Sequence, residues 1–110
     1  MNSKNSNSIK VTDFIANALV HHGIRHIFML TGGGAMHLND SLGKHPALQV
    51  IFNHHEQASA MAAESYARLT NQMAVVNVTT EPGGINALNG VFGAWTDSIP
   101  ILIISGQVSY

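Results

Sequence analysis

Short apolar runs alternate with longer stretches of helical character along most of the chain. Four runs are predicted strands, at residues 26–30, 48–52, 73–79 and 101–105. Four stretches are predicted helices, at residues 11–22, 35–43, 54–70 and 83–96. Strands that are apolar on both faces and alternate with helices are typical of parallel sheets covered on both sides. The pattern therefore predicts an α/β fold, a doubly wound parallel sheet with helices on both faces.

The first predicted helix shows the local signals most clearly. Apolar residues recur in it at helical spacing, at Phe14, Ile15, Ala18 and Leu19. Thr12 or Asp13 is the predicted cap at its start, and Gly23 is expected to end it. The helix therefore has signals at both ends as well as a periodic apolar face.

Length and composition indicate one domain that is rich in apolar surface. The chain has 110 residues, of which 45% are hydrophobic and 10% charged. Because the chain ends five residues after the last apolar run, we expect residues 9–110 to be an incomplete domain that lacks its last strands. Residues 1–8, MNSKNSNS, are polar and are expected to form a disordered leader. Part of the apolar surface is expected to face a partner.

Charge and residue usage exclude several functional classes. The formal net charge of -1 leaves neither a basic footprint for nucleic acid nor a polybasic membrane anchor. No apolar run approaches the roughly 20 residues that span a bilayer. Cysteine is absent, which excludes disulfide bonds and thiolate-ligated zinc and agrees with a reducing compartment. We expect a cytoplasmic location.

Two short motifs invite familiar interpretations that their spacing rejects. The glycines at 32–34 lie between a predicted strand and helix, but neither the dinucleotide-binding nor the phosphate-loop spacing follows. They indicate either a ligand-binding turn or a purely structural one. His55 and Glu56 begin a zinc-protease pattern, but Ser59 stands where the second histidine would be needed. No metal site is predicted.

Glu56 and a second corner are the candidate functional features. Glu56 lies where a predicted strand ends and a helix begins, the edge of a parallel sheet at which ligands bind. Burial there favours a protonated carboxyl group, and the helix N-terminus opposes this effect. The alternative role is an acid that merely complements the helix dipole. The second corner, TTEPGGIN, places Pro82, Gly83 and Asn86 at another helix start, which is also open to an ordinary structural interpretation.

Three segments in order carry a family resemblance. They are HEQASAMAAESYAR, TTEPGGINALNGVFGAW and DSIPILIISGQ. They resemble the acetolactate synthase and pyruvate oxidase branch of thiamine diphosphate enzymes, and the match extends from Val11 to Val108. The resemblance identifies the chain as the N-terminal pyrimidine-binding domain of such an enzyme. It implies a doubly wound parallel sheet that holds the aminopyrimidine ring of the cofactor at a dimer interface.

The resemblance also implies roles for individual residues. Glu56 would be the catalytic acid, since its counterpart hydrogen-bonds the pyrimidine nitrogen and favours the tautomer that removes the thiazolium C2 proton. The cofactor-binding residues implied by the match are Thr31, Gly32, Glu56, Thr79, Pro82, Gly83 and Asn86.

The same resemblance implies an activity for a longer parent protein. The parent would decarboxylate or ligate a small 2-oxo acid as a homodimer or homotetramer, with magnesium and the diphosphate group held by a separate domain of another subunit. No glycine-aspartate-glycine magnesium motif occurs in these 110 residues, so we expect them to be inactive alone. The stretch leaves open which 2-oxo acid is used and whether a flavin is bound. The alternative is a regulatory or non-catalytic domain that keeps the fold.

Three positions depart from the pattern of that family. Thr31 stands where relatives often have proline, and Glu81 where they usually have glycine. Glu81 precedes proline and is compatible with the site only if its φ is negative. Thr79 stands where some decarboxylases have a catalytic histidine, and this favours the carboligating type, as does Gln107.

Overall fold

A computed structural model describes residues 7–109 and shows one parallel sheet with helices on both sides. The strands are β1 (His26–Met29), β2 (Gln49–Phe52), β3 (Ala74–Val78) and β4 (Ile101–Ser105). The helices are α1 (Val11–His21), a short 3-10 helix (Gly33–Ala35), α2 (Met36–Lys44), α3 (Glu56–Thr70), α4 (Gly83–Asn86) and α5 (Leu88–Thr96). Within these residues the strands pair in the order β2-β1-β3-β4, and every pairing is parallel. The predicted α/β class is confirmed.

The two faces of the sheet bury different side chains because successive residues of a strand point to opposite sides. Ile27 and Met29 of β1 belong to a core cluster with residues of α1 and α2. Phe28, between them, belongs to a second cluster with residues of α3. In β3, Val75 faces the first cluster and Val76 the second. The continuous apolar runs of the sequence follow from this double coverage.

Small residues allow α3 and α5 to pack closely. Ala60, Ala63 and Ala67 recur along the buried face of α3, each almost fully buried. Opposite them, a Cβ atom placed on Gly90 of α5 would overlap the Cβ atom of Ala60. The alanine-rich composition of α3 therefore serves this packing as well as helix formation.

The other side of α5 is apolar and exposed. Phe92 is 71% exposed and Trp95 82%, and Leu88 lies one turn before Phe92 on the same side. Such a face is unusual for the surface of a monomeric protein. None of the helices within residues 7–109 combines the length and the apolar character needed to cross a membrane.

Several local predictions at the first helix were wrong. The N-cap of α1 is Lys10, whose side chain makes no capping bond. Thr12 and Asp13 instead bind Ser41 of α2, with O···O distances of 2.7 and 2.6 Å. Phe14, assigned to the apolar face, is exposed. Docking against α2 therefore decided the roles of these side chains, and their spacing alone did not.

The fourth predicted helix and the burial of the fourth strand also differ from the predictions. The helix predicted at 83–96 divides at Ala87 into α4 and α5, although Ala87 keeps right-handed helical angles. Strand β4, predicted to be fully buried, is only half-buried because β3 alone pairs with it among the described residues. Gly23 does end the first helix, with a φ of 86° that favours glycine. The leader predicted at 1–8 lies outside the described residues except for its last two positions.

Candidate functional site

The turns that follow the four strands lie along one edge of the sheet. Since all described strands are parallel, their carboxyl ends point the same way, and ligands of open α/β sheets bind at this edge. The glycines 32–34 follow β1, Glu56 follows β2, residues 79–83 follow β3, and Gly106 follows β4. Because β1 and β3 are adjacent, the first corner (residues 31–34, after β1) and the second corner (residues 79–86, after β3) are neighbours in the fold.

Glu56 is the acid of this edge. It is the first residue of α3, and only 7% of it is exposed. Asn86 donates a hydrogen bond from Nδ2 to its Oε2 atom over 3.1 Å. The other oxygen, Oε1, takes no hydrogen bond from the described residues and is not sealed from solvent. Glu56 therefore has one oxygen fixed by the protein and one available to a ligand.

The N-terminus of α3 sets the direction of this side chain. His55 precedes Glu56 with extended backbone angles, and its Nδ1 atom accepts a hydrogen bond from the backbone of Gln57 over 3.0 Å. The imidazole thus caps the helix in the way that a serine or aspartate side chain commonly does. This cap fixes where α3 begins, and Glu56 enters the site from its first turn.

Thr79 is enclosed by glycines from both corners. A Cβ atom on Gly32 would lie 2.6 Å from the Cβ atom of Thr79, and one on Gly83 would lie 2.7 Å from its Cγ2 atom. A Cβ atom on Gly34 would lie 2.9 Å from the Oγ1 atom of Thr79. The added atom on Gly83 would also lie 3.3 Å from Oε1 of Glu56. Glycine is required at these positions because the two corners approach more closely than side chains permit.

The structure brings together five of the seven residues named from the sequence. They are Gly32, Glu56, Thr79, Gly83 and Asn86. The remaining two, Thr31 and Pro82, lie at the same corners with exposed side chains. Among the described residues, neither shares a hydrogen bond with the Glu56 side chain. Pro82 is the N-cap of α4, as expected of a proline near a helix start.

Two residues next to this group were not identified from the sequence. Asn77 of β3 donates a hydrogen bond to Asn39 of α2, and Asn39 donates one to the carbonyl oxygen of Gly32. A signal was present, since Asn77 interrupts the apolar run MAVVNVT. A polar residue inside a buried strand needs a hydrogen-bond partner, and the partner indicates what it supports.

The backbone at Glu81 meets the condition set by the sequence. Within the described part of the chain, the non-glycine residues with a positive φ are Asn71 and Ser98. The φ of Glu81 is therefore negative, and its backbone carries no strain from a left-handed conformation. The peptide bond between Glu81 and Pro82 is cis. The side chain of Glu81 is exposed, in contrast to that of Glu56.

Cavities do not coincide with the acid. A cavity of about 350 Å³ lies at the same sheet edge between residues 33–38 and 105–108, and a groove of about 640 Å³ follows the exposed face of α5. Neither is lined by Glu56, so the site is defined by its side chains and not by cavity volume. Over residues 7–109 no cluster of three histidine, aspartate or glutamate side chains suited to a metal ion occurs.

The ion pairs of the described residues lie away from Glu56. A hydrogen bond from Lys44 lowers the pKa of Asp40, and the nearby charges of Lys44 and Lys10 act in the same direction. Hydrogen bonds to Glu64 and Asp97 raise the pKa of Arg68. The side chains of these pairs are exposed except for that of Glu64, which is partly buried. None of them supplies a counter-charge to Glu56.

Fold and site together define a class of protein. A parallel α/β domain with a nearly buried acid and glycine-rich corners at the carboxyl edge is typical of domains that bind an organic cofactor. Residues 9–110 match the family described as thiamine pyrophosphate enzyme, N-terminal TPP binding domain. Thiamine pyrophosphate (TPP) is another name for thiamine diphosphate. The chain belongs to this family.

Curated relatives agree with this assignment. The chain is 40% identical over 97 residues to the acetolactate synthase large subunit of Buchnera aphidicola subsp. Schizaphis graminum, covering 88% of this chain and 17% of that protein. It is 34% identical over 97 residues to the acetolactate synthase isozyme 3 large subunit of Escherichia coli, with the same coverage. It is 35% identical over 99 residues to the chloroplastic acetolactate synthase 2 of Nicotiana tabacum, covering 90% of this chain and 15% of the relative. The chain thus spans about a sixth of the length of these relatives.

Proposed function

We propose that the chain forms the pyrimidine-binding side of a thiamine diphosphate site in an enzyme that acts on a 2-oxo acid. The reaction is decarboxylation or carboligation of the acetolactate synthase type. The observation that carries the proposal is the carboxyl group of Glu56, nearly buried at the sheet edge, with one oxygen held by Asn86 and the other available to a ligand.

The residues present fit such a cofactor. A weakly basic ring nitrogen requires an acid that shares a proton with it, in surroundings that exclude most water. Glu56 has this chemistry and burial, and no ion pair with it occurs among the described residues. Gly32 and Gly83 leave room at the two corners where any side chain would collide with Thr79.

Each residue then has a defined task. Asn86 orients the carboxyl group of Glu56, whose Oε1 atom holds or gives up a proton at the pyrimidine nitrogen. Gly32, Thr79 and Gly83 shape the surface against which the ring lies, and Thr31 and Pro82 form its exposed rim. When bound, thiamine diphosphate supplies the thiazolium carbon that attacks the 2-oxo acid.

The rest of the site is proposed to come from elsewhere. The relatives are about six times longer than the stretch they share with this chain, and no metal-binding cluster is present in residues 7–109. We assign magnesium and the diphosphate group to another domain of an oligomeric parent protein. The isolated 110 residues are therefore expected to bind thiamine diphosphate no more tightly than about 1 mM, roughly -4 kcal/mol. Micromolar binding by the isolated monomer in calorimetry would refute this division of the site.

The role of Glu56 is tested by proton exchange at C2 of the bound cofactor. In the full-length protein, Glu56→Gln is expected to slow this exchange, followed by NMR at saturating cofactor, by about 100-fold or more, because glutamine cannot transfer the proton. Glu64→Gln is the matched control, since Glu64 lies on the same helix and pairs with Arg68. An undiminished rate in Glu56→Gln would remove the proposed role.

A further inference from the structure

Asn77 is buried in the centre of the sheet with part of its polar side chain unused. It is 0% exposed and lies between valines on β3. Its Nδ2 atom donates to Oδ1 of Asn39 over 2.8 Å. Its own Oδ1 is the single fully buried side-chain nitrogen or oxygen in residues 7–109 without a hydrogen-bond partner. An unpaired buried polar atom destabilises a fold, so its presence calls for an explanation other than core packing.

The bond to Asn39 determines which way that amide faces. Because Oδ1 of Asn39 accepts from Asn77, its Nδ2 group is directed to the carbonyl oxygen of Gly32, 3.2 Å away. The same carbonyl oxygen accepts the backbone amide of Ala35 over 3.1 Å. The pair of asparagines thereby connects the middle of the sheet to the first glycine corner.

Gly32 in turn lies against Thr79, at one of the close approaches between the turn after β1 and the turn after β3. The position of a Cβ atom on Gly32 falls 2.6 Å from both Cβ and Cγ2 of Thr79. A small displacement of the Gly32 peptide would therefore move Thr79 or open a gap beside it. Thr79 also borders Gly83, and Gly83 borders Glu56, so a series of close contacts connects Gly32 to the acid.

We propose that Asn39 and Asn77 are positioning residues that hold the Gly32 turn against Thr79 and so set the shape of the thiamine diphosphate site around Glu56. The inference rests on the function proposed above. Neither residue is assigned a contact with the cofactor. The unpaired Oδ1 atom of Asn77 is then the consequence of directing the amide of Asn39 toward Gly32.

Asn77→Val separates this role from a purely structural one. Valine removes the unpaired oxygen and suits a buried strand, and Asn39, which loses one hydrogen-bond partner, is only half-buried. The full-length protein is expected to keep its melting midpoint within about 2 °C or to raise it. Its dissociation constant for thiamine diphosphate with magnesium is expected to rise about tenfold, the effect of losing one hydrogen bond.

Asn39→Asp tests the second hydrogen bond, from Asn39 to the carbonyl oxygen of Gly32. The carboxylate still accepts from Asn77 but cannot donate to Gly32, so a similar loss of affinity is expected. Because both residues act through one bond to Gly32, the double variant with Asn77→Val should bind no more weakly than Asn39→Asp alone. Fully additive losses of affinity would contradict the view that both residues act through the same hydrogen bond to Gly32.

Hydrogen exchange in the protein without cofactor gives a readout independent of activity. The amide of Ala35, bonded to the Gly32 carbonyl, is expected to exchange about tenfold faster in both variants. Asn89→Ala is the control, since Asn89 is exposed and its side chain makes no hydrogen bond within residues 7–109. Unchanged affinity in Asn77→Val, or affinity lost only together with the melting midpoint, would overturn the inference.

The two proposals fail in different ways. Lack of thiamine diphosphate binding by the unchanged full-length protein would refute the proposed function. The hydrogen-exchange rate of the Ala35 amide would then be the only test of whether Asn39 and Asn77 hold the Gly32 turn in place. Normal C2 exchange in Glu56→Gln would refute the role of the acid but leave the affinity comparison of the asparagine variants valid.

Discussion

Replacing Gly83 with alanine probes the site with a single methyl group. The new Cβ atom would lie 2.7 Å from Cγ2 of Thr79 and 3.3 Å from Oε1 of Glu56. Side-chain carbons do not approach one another to 2.7 Å, so Thr79 or helix α4 must move by several tenths of an ångström. The backbone itself accepts alanine, because φ at Gly83 is outside the left-handed region.

The expected magnitude follows from two opposing effects. Overpacking of a well-filled site destabilises by about 1–3 kcal/mol. Alanine is the better helix former by up to about 1 kcal/mol, which offsets part of this cost. The net loss in the free energy of unfolding is therefore small, roughly 0–2 kcal/mol. The displacement of Thr79 and Glu56 matters more for function, and C2 proton exchange in the full-length protein should fall by about 10-fold to 100-fold.

The neighbouring glycine provides the control. A Cβ atom on Gly84 would lie 3.5 Å from Oγ of Ser105 and 3.9 Å from the carbonyl oxygen of Thr79, both ordinary contact distances. Gly84→Ala should therefore leave cofactor affinity, measured by calorimetry, and C2 exchange within about twofold of the unchanged protein. If the alanines at 83 and 84 behave alike, the close approach of Thr79 to Gly83 is not what requires glycine at the second corner.

Three further predictions concern the fold, its charges and its exposed face. Gly90→Ala should lower the free energy of unfolding by about 1–3 kcal/mol in denaturant titrations, because its Cβ atom would overlap α3. Gly93→Ala is the control, since its added atom would meet only the flexible carboxylate of Glu64 at 3.4 Å, and equal stability of the two variants would contradict this packing. Lys44→Met should raise the pKa of Asp40 toward its usual value of 3.8 in an NMR titration, because the hydrogen bond from Lys44 lowers that pKa; an unchanged pKa would show that the pair is not formed. The pair contributes to folding stability above pH 3.8, and this contribution is lost as the pH falls through the lowered pKa. Trp95, the single tryptophan of the chain, should emit at long wavelength and be quenched readily by iodide in dilute isolated chain, and shielded emission would show that its face is covered.

Local patterns were sufficient to predict most of the secondary structure. Strand β4 has the predicted bounds, and β1 to β3 lie within theirs, because continuous apolar runs flanked by turn residues depend only on nearby positions. The roles of Thr12 and Asp13 could not be predicted in this way. Both side chains bind Ser41, which is distant in sequence, and a contact of this kind competes with a local cap.

The candidate site could be predicted only in part, for a similar reason. The position of Glu56 at the end of a strand and the start of a helix is visible in the sequence, and so are the glycines of both corners. The bond from Asn86 to Glu56 joins residues 30 positions apart, and that from Asn77 to Asn39 joins residues 38 apart. Such contacts depend on the strand order β2-β1-β3-β4, which local periodicity does not encode.

The sequence by itself determined the α/β class, the number and approximate bounds of the described strands, and the presence of an acid and two glycine-rich turns at strand ends. It did so because apolar periodicity, glycine and proline act over a few residues. Only the tertiary structure decided that Asn86 holds one oxygen of Glu56, that three glycines enclose Thr79, and that a buried asparagine pair supports Gly32. The physical reason is that these contacts arise where separate elements pack against one another, and side chains settle there according to burial and hydrogen bonding.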